Sequence, residues 1–98
     1  MLTSKQKKYL KSQAHALKPL VLVGKSGVNS QSIKNINEAL AHHELIKIKF
    51  IAFKTEKDEL QESILKETNS EFVGMIGHVL TIYSQAEEKE DRKYTLPI

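Results

Sequence analysis

Cysteine is absent from the 98 residues. That excludes disulfide frameworks, thiolate zinc sites and thiol nucleophiles together, and it is compatible with a reducing compartment. Long apolar runs are missing as well. No stretch reaches the length needed to span a bilayer, and the start, Met1-Leu2-Thr3-Ser4-Lys5-Gln6-Lys7-Lys8, has no signal-peptide core. The expectation is a cytoplasmic chain with no membrane partner. Charge of one sign is in small excess: 15 Lys and Arg against 12 Asp and Glu, a net of +3. So modest a total says less about a polyanionic partner than its distribution does. No Ser-His-Asp arrangement, catalytic carboxylate pair or cofactor fingerprint stands at a defined spacing. Adjacent His42 and His43 project about 100° apart on a helix and lack a third ligand nearby, which disfavours a metal site. A non-enzymatic protein with no cofactor and no small-molecule substrate is expected.

A hydrophobic fraction of 40% and a charged fraction of 28% suit one packed domain with an ordinary surface. Leu10, Ala14 and Leu17 recur at i, i+4 and i+7, predicting a helix over 4–17 that Pro19 stops, with Lys5, Lys7, Lys8, Lys11 and His15 on its other side. Leu20-Val21-Leu22-Val23 is an unbroken apolar run, which predicts a strand buried on both faces and central in its sheet. Asn29 or Ser30 caps a second helix carrying Ile33, Ile36 and Leu40. Residues 45–51 alternate, with Ile46, Ile48 and Phe50 on one face and Lys47 and Lys49 on the other.

Thr55 is the expected cap of a third helix with Leu60, Ile64 and Leu65 inward and Asn69 as its left-handed stop. Residues 72–76 and 79–83 flank Gly77-His78, a connection suited to a type II′ hairpin. The order α-β-α-β-α-β-β predicts a two-layer α/β domain over 1–84 with a mixed four-stranded sheet. Residues 85–98 include the mixed-charge run 87–93, with nothing to bury, and are expected to form a mobile tail.

Between the first strand and the second helix lies Gly24-Lys25-Ser26-Gly27. Neither glycine has a side chain to hold a ligand away, the helix start offers unpaired N–H groups and the positive end of its dipole, and Lys25 adds a charge. Loops of this form clamp nucleotides in the KH module. The competing explanation is that the glycines merely shape a tight turn. A nucleotide-triphosphate P-loop is excluded, because its pattern requires glycine where Pro19 stands. The lysines can equally be solvated cover, and Phe50, Phe72 and Tyr83 sit in strand patterns as packing residues. Tyr9, close to Lys5 on the helical wheel, is a candidate for stacking on a base.

The words Leu2-Thr3-Ser4-Lys5-Gln6-Lys7-Lys8-Tyr9-Leu10, Leu17-Lys18-Pro19, Val23-Gly24-Lys25-Ser26-Gly27-Val28, Glu44-Leu45-Ile46-Lys47-Ile48-Lys49-Phe50 and Glu67-Thr68-Asn69-Ser70-Glu71-Phe72-Val73 stand in an order that resembles the YhbY-like CRM-domain family. That name denotes chloroplast RNA splicing and ribosome maturation. The resemblance runs over 2–83 and is closest to the free-standing bacterial form. It implies a fold similar to the C-terminal domain of bacterial translation initiation factor three. It further implies RNA binding through Gly24, Lys25, Ser26 and Gly27 and a basic surface of Lys5, Lys8, Lys11, Lys47 and Lys49. The implied RNA is large-subunit ribosomal RNA in pre-ribosomal particles. A monomer is expected separately. The pattern departs at His78 and Ser84, where relatives are expected to carry basic residues. Other classes remain open: a basic DNA-coating module, a protein-interaction adaptor on ribosomal proteins, and, at low weight, an RNA-modifying enzyme.

Overall fold

The structure is a computed structural model describing residues 2–98. Its first helix, α1 (Ser4–Ala14), starts at a reciprocal cap in which the Thr3 hydroxyl accepts from the Gln6 N–H and the Gln6 amide oxygen accepts from the Thr3 N–H. Helix α2 (Ser30–His43) starts likewise at Asn29, whose side chain accepts from the Ser32 N–H. Between them lies β1 (Val21–Val23), and β2 (Leu45–Phe50), α3 (Lys57–Thr68), β3 (Glu71–Ile76) and β4 (Val79–Tyr83) follow, with a short 3₁₀ turn at Lys89–Asp91. Among the described residues no helix is long and apolar enough to cross a membrane.

The strands order as β1-β2-β4-β3, with β1 parallel to β2 and the other pairs antiparallel, so the sheet is mixed as expected. Helices α2 and α3 cover one face, burying Ile36, Ile48, Phe50, Ile64, Leu80 and Ile82 completely. Each such side chain contributes roughly 1.5–3 kcal/mol through its removal from water. Helix α1 lies on the opposite face over β3 and β2, where Leu10 and Ala14 meet Leu45, Val73 and Tyr83. Tyr9, the expected stacking candidate, is partly buried and packs against this second cluster.

The bulge between Phe72 and Gly74 inserts Val73 into β3 and rephases the strand. Phe72 and Met75 therefore join the α2/α3 side while Val73 joins the α1 side. Gly77 alone in the hairpin turn takes a positive φ, +58°, as a type II′ turn requires.

Three local expectations change. Helix α1 ends at Ala14 rather than residue 17, because the chain turns back toward β1 and the Leu17 carbonyl is taken by Lys47 Nζ at 3.1 Å. Strand β1 is an edge strand buried on one face only: Leu20 and Leu22 remain 53% and 59% exposed, since α1 does not reach across to them. An apolar run reports that a strand is greasy, and it does not report which face lacks a cover. At α3 the cap position is Glu56, with no side-chain cap, and the Thr55 hydroxyl bonds the Glu56 carboxylate instead. Asn69 does stop that helix in the left-handed region, at φ 49° and ψ 47°.

The segment 85–98 is docked. Its charged run 87–93 is largely exposed, but Tyr94 and Leu96, just beyond it, pack against the α1 cluster, a burial that the charge pattern conceals. Buried Glu44 accepts from the Ala86 N–H at 2.6 Å and from the Lys93 N–H at 2.5 Å. Arg92 Nε donates to the Ala86 carbonyl at 2.8 Å, and Gln6 and Lys5 reach the carbonyls of Pro97 and Ile98.

Candidate nucleic-acid interface

Parallel pairing of β1 with β2 brings the segments that leave both strands to the same end of the sheet. Residues 24–27 leave β1 there, residues 51–54 leave β2, and the Gly77-His78 turn closes beside them, its His78 carbonyl accepting from the Phe50 N–H at 2.8 Å. The Val23 carbonyl binds the two exits together by accepting from Ile51 and Ala52 at 3.0 and 3.1 Å.

Within the loop the Gly27 N–H donates to the Gly24 carbonyl at 3.0 Å, forming a four-residue turn. The turn leaves the Lys25 and Ser26 amides without a hydrogen-bond acceptor among the described residues. Asn29 occupies the Ser32 N–H, and the Ser30 and Gln31 amides at the head of α2 likewise have no such acceptor. The Ser32 hydroxyl holds the Gly27 carbonyl at 3.2 Å, fixing the loop against the helix. Main-chain donors therefore converge where Lys25 and Ser26 are exposed.

The two glycines differ. Gly27 has φ +71°, so the fold itself favours glycine there. Gly24 does not: its φ is not positive, and a Cβ would meet Ile51 at an ordinary 3.8 Å. Turn shaping thus explains Gly27 and does not explain Gly24.

The candidate lysines spread over the open part of the α1 face. Lys49 is exposed on β2 opposite Leu22 and Val79, close to the loop end. Lys47 is half-buried and committed to the Leu17 carbonyl. Lys11 lies along the sheet, its Cε where a Cβ at Gly74 would be 2.9 Å away, and lines a cleft with His15, Lys47 and Thr81. Lys5 and Lys8 stand in the first half of α1, toward the docked tail, and Lys5 Nζ lies 3.4 Å from the Ile98 carbonyl. The structure therefore gathers Lys25 and Lys49 near the loop, sets Lys11 and Lys47 midway, and leaves Lys5 and Lys8 remote.

Lys54, Lys57, Ile51 and Phe53 were missed by sequence reasoning. Lys57 Nζ donates to the Gly77 carbonyl and lies 3.2 Å from His78 Nδ1. Partial loss of hydration, then the charges of Lys57 and Lys54, hold the His78 imidazole below its ordinary range. The signal for these residues was the β1-α2-β2 unit itself, since parallel neighbours send their exits to one end. A cleft of about 560 Å³ opens instead at the far end, lined by Asn37, His42, Thr68, Arg92 and Lys93 among others. Among the described residues no group of three metal-ligating side chains converges.

Comparison with known proteins matches residues 2–84 to the model of the CRS1 / YhbY (CRM) domain. The "Probable RNA-binding protein YqeI" of Bacillus subtilis is 42% identical over 98 residues, covering 99% of this chain and all of the relative. An "RNA-binding protein" of Haemophilus influenzae is 41% identical over 88 residues, with 89% of each chain covered. The solution structure of a Staphylococcus aureus protein superposes with a TM-score of 0.80 at 40% identity, covering 99% of this chain and all of that one.

Proposed function

Because the chain belongs to the CRS1 / YhbY (CRM) domain family, we propose that it binds RNA, with Gly24, Lys25, Ser26 and Gly27 against the sugar-phosphate backbone. The observation that carries this reading is the exposed turn whose Lys25 and Ser26 amides lack an acceptor, beside a Gly24 that the fold does not require. A phosphate oxygen satisfies such amides, and the lysine charge draws it in. Lys49 and Lys11 extend the positive surface over the sheet, and Lys5, Lys8 and Lys47 complete it at lower weight.

The RNA is large-subunit ribosomal RNA in assembling particles, and the protein is a cytoplasmic monomer acting by binding alone. The names of the relatives support the RNA part, and the resemblance of the sequence words supports the ribosomal part. The test is affinity for a large-subunit ribosomal RNA fragment across a salt series. Lys25→Ala should weaken binding and make the log-log salt slope shallower by about 0.7 for a single-stranded contact. Unchanged affinity and slope would remove the loop from the interface.

A further inference from the structure

Phe53 stands outside every strand and helix, beside the loop just described. Its φ of +56° is a left-handed conformation that bulky side chains avoid, yet the ring gains little burial from it. The residue remains 39% exposed, and its Cε2–Cζ edge lies 3.4 and 3.6 Å from where a Cβ at Gly27 would stand. Ile51, 51% exposed, stands in the same way over Gly24. A residue present merely to cover glycine would be buried, and an aliphatic side chain would serve.

We propose that Phe53 is a stacking platform for an unpaired base of the RNA strand held by residues 24–27, so that the preferred ligand is single-stranded RNA, a loop or a bulge. This rests on the function proposed above and narrows its ligand class. The base and the phosphate of one nucleotide are separated by a single sugar, and here the ring edge lies against Gly27, the last residue of the turn that carries the unpartnered Lys25 and Ser26 amides. Lys25 in the turn and Lys54, next to Phe53 in the chain, are both exposed, and a positive setting favours a nucleotide over an apolar protein partner. Acidic Glu56, Asp58 and Glu59 follow at the start of α3 and mark where the positive surface ends. A continuous duplex cannot present a base face to the ring, because its bases are stacked on one another.

The chain has no tryptophan, so Phe53→Trp introduces a single indole, excited selectively above the tyrosine absorption band. Adding a short single-stranded oligoadenylate to the full-length variant should quench its emission, whereas inorganic polyphosphate, which has charge but no base, should not. Phe53→Ala should weaken oligoadenylate binding about five- to 150-fold, Phe53→Tyr should retain it, and duplex RNA binding should be unchanged. Phe53→Leu keeps an apolar cover on Gly27 and guards against misfolding, with thermal unfolding of each variant as the check. Full affinity in Phe53→Leu, or unquenched emission, overturns the proposal. Lys25→Ala separates the two claims. If it weakens binding while the Phe53 variants do not, the loop reading stands and the stack falls. If it has no effect while Phe53→Trp is quenched, the loop reading falls and the stack stands.

Discussion

At the end of the sheet where β2 begins, Glu44 takes the N–H groups of Ala86 and Lys93, whereas where β2 finishes, the amides of Lys25 and Ser26 meet no acceptor among the described residues. The same contrast holds for apolar groups. Tyr83 meets Tyr94 of the docked tail edge to face at 6.4 Å, while Ile51 and Phe53 stand exposed. At one end the chain's own atoms take up these groups, and the other offers donors, charge and an aromatic ring outward. Stability and recognition therefore sit at different ends, and they should respond to different substitutions.

The largest effect should come from the Glu44 end. Glu44→Ala leaves two N–H groups without their acceptor, and chemical denaturation should show a loss of about 2–4 kcal/mol. Amide exchange at residues 86 and 93 should accelerate while RNA affinity stays unchanged. An affinity loss in a still-folded Glu44→Ala chain would break the division between the ends. Next comes a contrast within the loop. Gly27→Ala should cost roughly 1–2 kcal/mol of stability, because a side chain resists φ +71°. Gly24→Ala should change stability by less than about 0.5 kcal/mol and lower RNA affinity instead. Equal behaviour of the two variants in both assays would return Gly24 to a turn-shaping role.

The smallest effect is one that is silent at neutral pH. Burial first, then the Glu44 charge, pushes the Tyr83 phenol up from 10.0 to about 12, and the Tyr94 phenol moves in the same direction for the same causes. The folded state thus prefers the protonated phenol. This contribution is complete below the unfolded value of 10.0 and is lost as pH rises toward about 12. The unfolding midpoint should fall across that window as phenolate absorbance appears, and Tyr83→Phe should flatten the fall. A flat midpoint in the unmodified chain would remove the coupling.

What the sequence made legible was local. Alternation placed Ile46, Ile48 and Phe50 inward, and the caps at Asn29 and Asn69 lie where their chemistry puts them. The order of the elements carried the mixed four-stranded sheet, and the family words agreed with it. The outer face of β1 was not legible, because its exposure depends on how far α1 reaches across the sheet. Glu44 was invisible as a clasp, since its partners lie 42 and 49 residues away. In the interface, Gly24, Lys25, Ser26 and Gly27 stood out as a motif. Phe53 did not, because no period or spacing marks a lone aromatic residue in a connection.

The β3 bulge has a colloidal consequence. Strands β1 and β3 are the two free borders of this sheet, the places where another chain could add a strand and begin a fibril. The extra residue at Val73 bends one border out of register with any straight template, and the other is three residues long. Concentrated samples should therefore stay dispersed despite the aliphatic side chains of Leu20, Leu22 and Ile76 at the surface.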